Sequence, residues 1–344
     1  MFRGGSILIQ SGSIVRNVGV TATGMYVPDR ILTNAELETM VDTTDEWIQT
    51  RTGIRERHVA PPGTPASDVA KPAVLQALSR RGISADELDL IIVTSVTPDM
   101  LFPATACVLQ HKIGAVNAWG FDLSAACSGF LFGLMTGYQA VASGTARKAV
   151  VVGVDVLTTL TDWPNRNHCV LFGDGCGTFL LEPVPESEPA IIDSVLKVDG
   201  SGADYLHMRG GGSLNPPSHR TVDNRMHFVH QEGRQVFKVA ATYMADATTE
   251  VLEKNGYTID DIALLVPHQA NLRIIEAVAK KLRIPREKVL INIDRYGNTT
   301  SATIPMGVHE AAEEGRIKPG DLIVLTAFGG GYTWGAILLK WGIT

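Results

Sequence analysis

The chain has 344 residues, 45% of them hydrophobic and 19% charged, which is enough apolar content to bury a large core. A formal net charge of -6 argues against a general nucleic-acid binder, because phosphate contacts need a surplus of Lys and Arg on one face. No stretch approaches the ~20 consecutive apolar residues of a membrane span and Met1 to Ser6 begin no signal-peptide core, so a cytoplasmic protein without membrane or nucleic-acid partners is expected. Residues 1–13 read as an N-terminal extension and 14–23 as the first strand. Helical patterns follow at 34–41 and 44–50, each opened by a capping residue, and at 67–81, stopped by Gly82. Apolar runs at 88–96, 118–123 and 149–156 read as buried strands, separated by helices at 104–113 and 129–143. The second half predicts helices over 233–254, 271–282 and 300–314, and strands over 262–267, 289–294, 321–327 and 333–341.

The second half also echoes the first in sequence. Asp86-Glu87-Leu88-Asp89-Leu90-Ile91-Ile92-Val93 returns as Asp260-Asp261-Ile262-Ala263-Leu264-Leu265-Val266, and Phe172-Gly173-Asp174-Gly175 returns as Phe328-Gly329-Gly330-Gly331. Two spaced echoes in one order imply an internal duplication of a βα unit. An α/β protein is expected, with halves 14–184 and 185–344 packed as one body around a shared cleft.

Four cysteines, Cys107, Cys127, Cys169 and Cys176, show no C-x-x-C pair and no zinc spacing. The default for each is a small buried hydrophobe. Cys127 departs from it, because Trp119 to Leu123 reads as a strand that turns through Ser124-Ala125-Ala126 into the helix at 129–143. At a helix start, free N–H groups and the positive end of the dipole favour thiolate over thiol and can hold an oxyanion. Cys107 lies mid-helix among apolar neighbours, and Cys169 and Cys176 lie in or beside a strand, so these three keep the default reading.

His268 follows an apolar strand through Pro267, a better place for chemistry than an apolar face, though a satisfied loop histidine has the same local sequence. Asn298 stands in Gly297-Asn298-Thr299-Thr300-Ser301, which a simple turn would also explain. The run Phe328 to Gly331 is permissive enough to bring backbone N–H groups against a ligand, or to be a hairpin turn. No G-x-G-x-x-G or P-loop pattern stands at a strand-to-helix junction, so nicotinamide and nucleotide-hydrolysis chemistry are disfavoured. His227 and His230 are three apart and would meet on one helical face, but no third ligand accompanies them and no metal is expected. The helix at 271–282 puts Arg273 and Lys280 on one face, with Lys281 adjoining, where an acidic partner would be drawn close to His268.

Taken with Asp45-Glu46-Trp47-Ile48-Gln49-Thr50-Arg51-Thr52-Gly53-Ile54, Pro267-His268-Gln269-Ala270-Asn271, Gly297 through Ala302 and Phe328 through Gly335, the chain resembles the β-ketoacyl-acyl-carrier-protein synthase III family from 14 to 344. The resemblance implies a homodimeric thiolase-like fold, five-layered αβαβα, built by duplication. It also implies Cys127 as acylated nucleophile with His268 and Asn298 completing a triad. By the same resemblance, Trp47, Arg51, Arg166 and Asn271 bind coenzyme A, and Arg273, Lys280 and Lys281 dock an acyl carrier protein. Phe102 and Phe328 line the acyl pocket, with Phe102 reaching across the dimer, and Gly330 belongs to the oxyanion hole. The implied reaction joins acetyl-CoA, or another short acyl-CoA, to malonyl-acyl carrier protein with loss of carbon dioxide. Coenzyme A enters as a thioester substrate, and no cofactor is implied. Neutral His268, through Nε2, and the Asn298 amide would donate to the malonyl thioester oxygen. A CoA-dependent polyketide or secondary-metabolite ketosynthase is the alternative, and a non-catalytic acyl-CoA or carrier-binding scaffold a more distant one. Tyr332, where phenylalanine would be expected in many relatives, departs from the pattern.

Overall fold

The computed structural model describes residues 16–343, so the N-terminal extension and the first residues of the predicted opening strand lie outside the described residues. Two sheets carry the architecture. The five-stranded sheet runs Val18–Tyr26, Asp174–Pro183, Ala149–Val156, Leu90–Thr94 and Trp119–Leu123 from edge to edge. The four-stranded sheet runs Ile191–Val198, Thr333–Lys340, Leu322–Gly329 and Leu264–Pro267.

The second sheet repeats the first four strands of the first in order and direction. Ala149–Val156 is parallel to Leu90–Thr94 and antiparallel to Asp174–Pro183, as Leu322–Gly329 is parallel to Leu264–Pro267 and antiparallel to Thr333–Lys340. The outer partners, Val18–Tyr26 and Ile191–Val198, are antiparallel in both. Central strands such as Ala149–Val156 are buried along their whole length, which is why they read as continuous apolar runs and not as alternating ones.

Helices complete the layers. Ala66–Arg81 and Thr105–Ile113 cover the outer face of the first sheet, and Gly233–Lys254 and Leu272–Leu282 the outer face of the second. Gly129–Ala142 and Thr303–Glu313 lie between the sheets. Their shared core includes Phe130, Leu134, Ile304 and Val308 packed with Val151, Phe179, Leu325 and Ile337. Gly133 lets the central helix approach the first sheet, since a Cβ there would lie 2.3 Å from Thr94 Cγ2.

One predicted strand fails. Over 289–294 the chain makes a single parallel bridge, Leu265 to Val289, and then enters the short helix Ile293–Tyr296. The Gln269 side chain intervenes: its Oε1 accepts from Asn292 N–H at 3.1 Å, a bond that a neighbouring strand would otherwise supply. The first sheet therefore has a fifth strand, Trp119–Leu123, with no counterpart in the second, and the helix Ala66–Arg81 runs continuously through Pro72.

Candidate active site

The strand Trp119–Leu123 enters a tight turn in which Ala126 adopts φ +48, a left-handed conformation that a small side chain tolerates best. Cys127 follows in a single 3₁₀ turn, Ala126–Ser128, that leads into Gly129–Ala142. The hydroxyls of Ser128 and Thr333 touch one another and share the Ala125 carbonyl, at 3.1 and 2.9 Å, fixing the turn from both halves of the chain. Gly329 is required beside it: a Cβ there would sit 2.7 Å from Cys127 N and 2.9 Å from Ser128 N. The backbone N–H groups of Cys127 and Gly330 both favour a negative charge at the Cys127 sulfur, the kind of donor pair an oxyanion hole requires.

The expected thiolate is not the resting species. Burial pushes the Cys127 thiol up to about 12, the Asp155 carboxylate adds to the rise, and the two N–H groups only partly offset it. Cys127 keeps some exposure to the cavity, but the protein around it desolvates the anion more than the helix terminus stabilises it. The other cysteines divide: Cys169 and Cys176 are buried, whereas Cys107 is exposed, contrary to its apolar flanks, on a helix near the unpaired sheet edge.

His268 is 1% exposed at the end of Leu264–Pro267, with its N–H donating to Thr326 O at 2.8 Å. Its Nδ1 lies 2.7 Å from Thr303 Oγ1, and its Nε2 is buried without a partner. Burial lowers its pKa to about 3, so the ring is neutral at physiological pH. Asn298 is bridged to Phe172, donating from its N–H to Leu171 O at 2.9 Å and accepting at its carbonyl from Gly173 N–H at 3.1 Å. Its side-chain Oδ1 accepts from Thr300 N–H at 2.9 Å, which leaves the Nδ2 donors turned away from that bond. Beneath this loop the fully buried Arg57 guanidinium donates to Val170 O, Leu32 O and Asn34 Oδ1 at 2.9, 3.1 and 2.9 Å.

Cys127, His268 and Asn298 line one cavity of about 950 Å³, together with Phe328, Gly330, Trp47, Arg51, Asn271 and Arg273. Asn271 caps Leu272–Leu282, accepting from Arg273 N–H, and its Nδ2 donates to Arg51 O at 3.0 Å, joining the two helices that frame the cavity. Trp47 stacks with both guanidinium groups, Arg51 Cζ at 5.5 Å and Arg166 Cζ at 5.1 Å from its ring centre. Lys280 and Lys281 are exposed in the last turn of the same helix, outside the cavity. Arg234, Phe237 and Lys238 also line the cavity, and the sequence reading passed over them, although cations four apart at a helix start were a visible signal.

Phe102, expected to reach across a dimer, does not line the cavity of its own chain and is 83% exposed beside Leu101, at 78%. One expectation is corrected. His227 and His230 share no helical face, because His230 belongs to a two-stranded ribbon paired with His207, while His227 Nε2 bonds Thr221 Oγ1 at 2.9 Å. Among the described residues, no group of three His, Cys, Asp or Glu side chains is placed to hold a metal.

Comparison with known proteins agrees with this geometry. Residues 121–200 match the family 3-oxoacyl-[acyl-carrier-protein] synthase III, and residues 252–341 its C-terminal part. A β-ketoacyl-[acyl-carrier-protein] synthase III of Koribacter versatilis is 51% identical over 328 residues, 95% of this chain and 98% of that one. The chain belongs to the 3-oxoacyl-[acyl-carrier-protein] synthase III family. A second synthase III, from Solibacter usitatus, is 52% identical over 94% of this chain and 98% of its own. The crystal structure of the synthase III of Aquifex aeolicus superposes with a TM-score of 0.87 at 43% identity, covering 94% of this chain and 100% of that one. The priming β-ketosynthase of the R1128 polyketide pathway superposes equally, with a TM-score of 0.87 at 34% identity, covering 95% and 97% of the two chains. Family membership makes this protein an acyltransferase with the thiolase fold, which the repeated sheets and the central helix pair display directly.

The low pKa of His268 has a thermodynamic sign. An unfolded histidine takes up a proton below about 6.5 whereas native His268 does not until about 3, so the native state loses stability as pH falls between these values. Lowering the pH from 7 to 5 should therefore cost the wild type about 2 kcal/mol more than it costs His268→Ala, as measured by urea unfolding. Equal losses would mean that the ring is not held neutral.

Proposed function

We propose that the protein catalyses the initiating condensation of fatty-acid synthesis, in which Cys127 takes an acetyl group from acetyl-CoA and passes it to malonyl-acyl carrier protein. The observation that carries this reading is the convergence of Cys127, His268 and Asn298 on one cavity, where the Cys127 and Gly330 N–H groups favour negative charge at the sulfur. Sγ attacks the thioester carbonyl, the N–H groups of Cys127 and Gly330 hold the oxyanion, and coenzyme A leaves. The malonyl thioester then enters, carbon dioxide departs, and the resulting enolate attacks the acyl-cysteine to give acetoacetyl-carrier protein. Asn298 Nδ2 is the donor oriented to hold the enolate oxygen, because its Oδ1 is already committed to Thr300 N–H.

Trp47, Arg51, Arg166 and Asn271 suit the adenine and phosphate end of coenzyme A, with aromatic surface between two cations. The exposed Arg273, Lys280 and Lys281, which form no ion pair among the described residues, suit an acidic carrier protein delivering its thioester to the cavity mouth. The strand Trp119–Leu123 is an unpaired edge, flanked by exposed Phe102, Leu101, Val116 and Trp119. A second copy pairing along it would cover this apolar surface and bring Phe102 to the partner's acyl pocket. No helix among the described residues is long and apolar enough to cross a membrane. The relationship to a priming β-ketosynthase keeps the carrier open as the second variable: malonyl-CoA preferred over malonyl-carrier protein would favour the polyketide reading.

Intact-protein mass spectrometry with acetyl-CoA should show one acetyl group on wild type and none on Cys127→Ala, discharged on adding malonyl-carrier protein. Asn298→Ala should still accept the acetyl group while malonyl decarboxylation falls about 100- to 1000-fold; equal loss of both steps would refute the division. The double variant Lys280→Glu, Lys281→Glu should raise KM for malonyl-carrier protein severalfold and leave that for acetyl-CoA unchanged, an effect that fades with salt. Sedimentation should give twice the 37.0 kDa chain mass; a monomer with full activity would remove Phe102 from the site.

A further inference from the structure

Glu310 lies in the helix Thr303–Glu313 with 13% of its side chain exposed, and its carboxylate gathers donors from Asn292 and the short helix Ile293–Tyr296. Asn292 Nδ2 and Arg295 Nη2 donate to Oε2 at 2.8 and 3.0 Å, and Arg295 Nη1 and Tyr296 OH reach Oε1 at 2.7 and 2.6 Å. An ionised carboxylate offers about four lone-pair sites, so this one is filled. The guanidinium fork spans both oxygens, a geometry that fixes direction as well as distance. By contrast, Glu313 on the same helix meets only Arg80, with both side chains open to solvent. From Glu310 the contacts run to both loops of the second half that reach the cavity. Tyr296 is separated from Asn298 only by Gly297, whose N–H donates to Ile293 O at 2.9 Å and whose φ of +64 turns the chain into Asn298. Asn292 gives its backbone N–H to Gln269 Oε1 at 3.1 Å, and Gln269 Nε2 donates to Pro267 O and Leu290 O at 2.8 and 3.2 Å, bridging across His268. Glu310 itself does not line the cavity.

We propose that Glu310 is a positioning residue for the condensation step: its carboxylate holds the loops of His268 and Asn298 at one separation, so that both side chains meet the malonyl thioester together. This rests on the condensing reading above. The Cys127 turn has other supports, Thr333 and Gly329 of the closing hairpin, and none of its contacts runs through Glu310. Loss of the carboxylate therefore strikes the second half's residues and spares the nucleophile. Without that charge Arg295 is left with Glu314, 3.9 Å away and exposed, while Asn292 Nδ2 and Tyr296 OH lose the acceptor they share. The loop then settles around other partners, and a displacement of about 1 Å at a reacting group costs on the order of 100-fold in rate.

The test uses the full chain and reads the two half-reactions separately. Glu310→Gln keeps the shape of the side chain and puts a donor where an acceptor stood. It should slow decarboxylation of malonyl-carrier protein by the acetylated enzyme roughly 10- to 100-fold, with the rate of acetylation and KM for acetyl-CoA within about twofold of wild type. Glu313→Gln, which removes the solvent-facing ion pair with Arg80, should change neither. In an Asn298→Ala background the effect of Glu310→Gln should shrink severalfold, whereas a full multiplicative loss would mean a general weakening and overturn the proposal. Equal loss of acetylation and decarboxylation would also count against it, as would decarboxylation by Glu310→Gln at the wild-type rate. If Glu310→Gln does not fold, Tyr296→Phe decides in its place: withdrawing one donor should cost decarboxylation alone roughly 3- to 10-fold, and no loss would refute the positioning. Wild type that takes up no acetyl group would sink the condensing reading instead. The nitrogen-15 signal of the Asn298 side-chain amide, identified by its absence from Asn298→Ala, should then still move in Glu310→Gln or Tyr296→Phe and not in Glu313→Gln; an unmoved signal ends the proposal.

Discussion

Asp155 stands next to last in the strand Ala149–Val156 with no exposure to solvent, and its carboxylate accepts hydrogen bonds from both halves of the chain. Ser95 Oγ, Val96 N–H and the Thr97 N–H and hydroxyl donate from the loop after Leu90–Thr94, and the Ser301 N–H and hydroxyl donate from the loop after Asn298. A carboxylate taken out of water costs several kcal/mol unless such donors surround it, so the loops are bound to meet there or the fold is penalised. The arrangement fixes the Asn298–Thr303 turn against the first sheet, and with it the distance of the second half's residues from Cys127. It also has an electrostatic cost, since the same negative charge helps to hold Cys127 as a thiol.

The duplication explains how one site draws on both copies. The Phe-Gly loop of each half supports a cavity residue of the other. Phe172 and Gly173 pair with Asn298, while Gly329 and Gly330 lie against the Cys127 turn. The two copies no longer carry equal structure, because Gln269 takes the hydrogen bond that a fifth strand would supply in the second sheet. In the first sheet that fifth strand survives and leaves a free edge.

Much of this was legible in the sequence. Helices such as Gly233–Lys254 and strands such as Ala149–Val156 have the expected bounds, because their apolar periodicity and their burial coincide. Cys127, His268 and Asn298 were each ambiguous alone and became specific only as a set of motifs. What escaped was set by distant contacts. The strand predicted over 289–294 is apolar enough, but the competing partner is a side chain twenty-three residues earlier, at Gln269. Cys107 has apolar neighbours in sequence and an exposed place in space. Thr303 reads as an ordinary first-turn helix residue, and nothing local announces that its hydroxyl lies against the ring of His268, thirty-five residues away. The resting state of Cys127 was misjudged for the same reason: the helix terminus is local, and the desolvation that outweighs it is not.

The Cys127 turn is braced by Thr333, and Gly329 lies against its backbone, so two of its supports come from residues made more than two hundred positions after Cys127. During synthesis the first half leaves the ribosome with its cysteine but without a working centre. The cavity around Cys127 is complete only when the closing hairpin, Leu322–Gly329 with Thr333–Lys340, has been added to the second sheet. Chains truncated near their end, which retain Cys127, His268 and Asn298, would lack this bracing and, on the proposed function, would withdraw no acyl groups from coenzyme A thioesters.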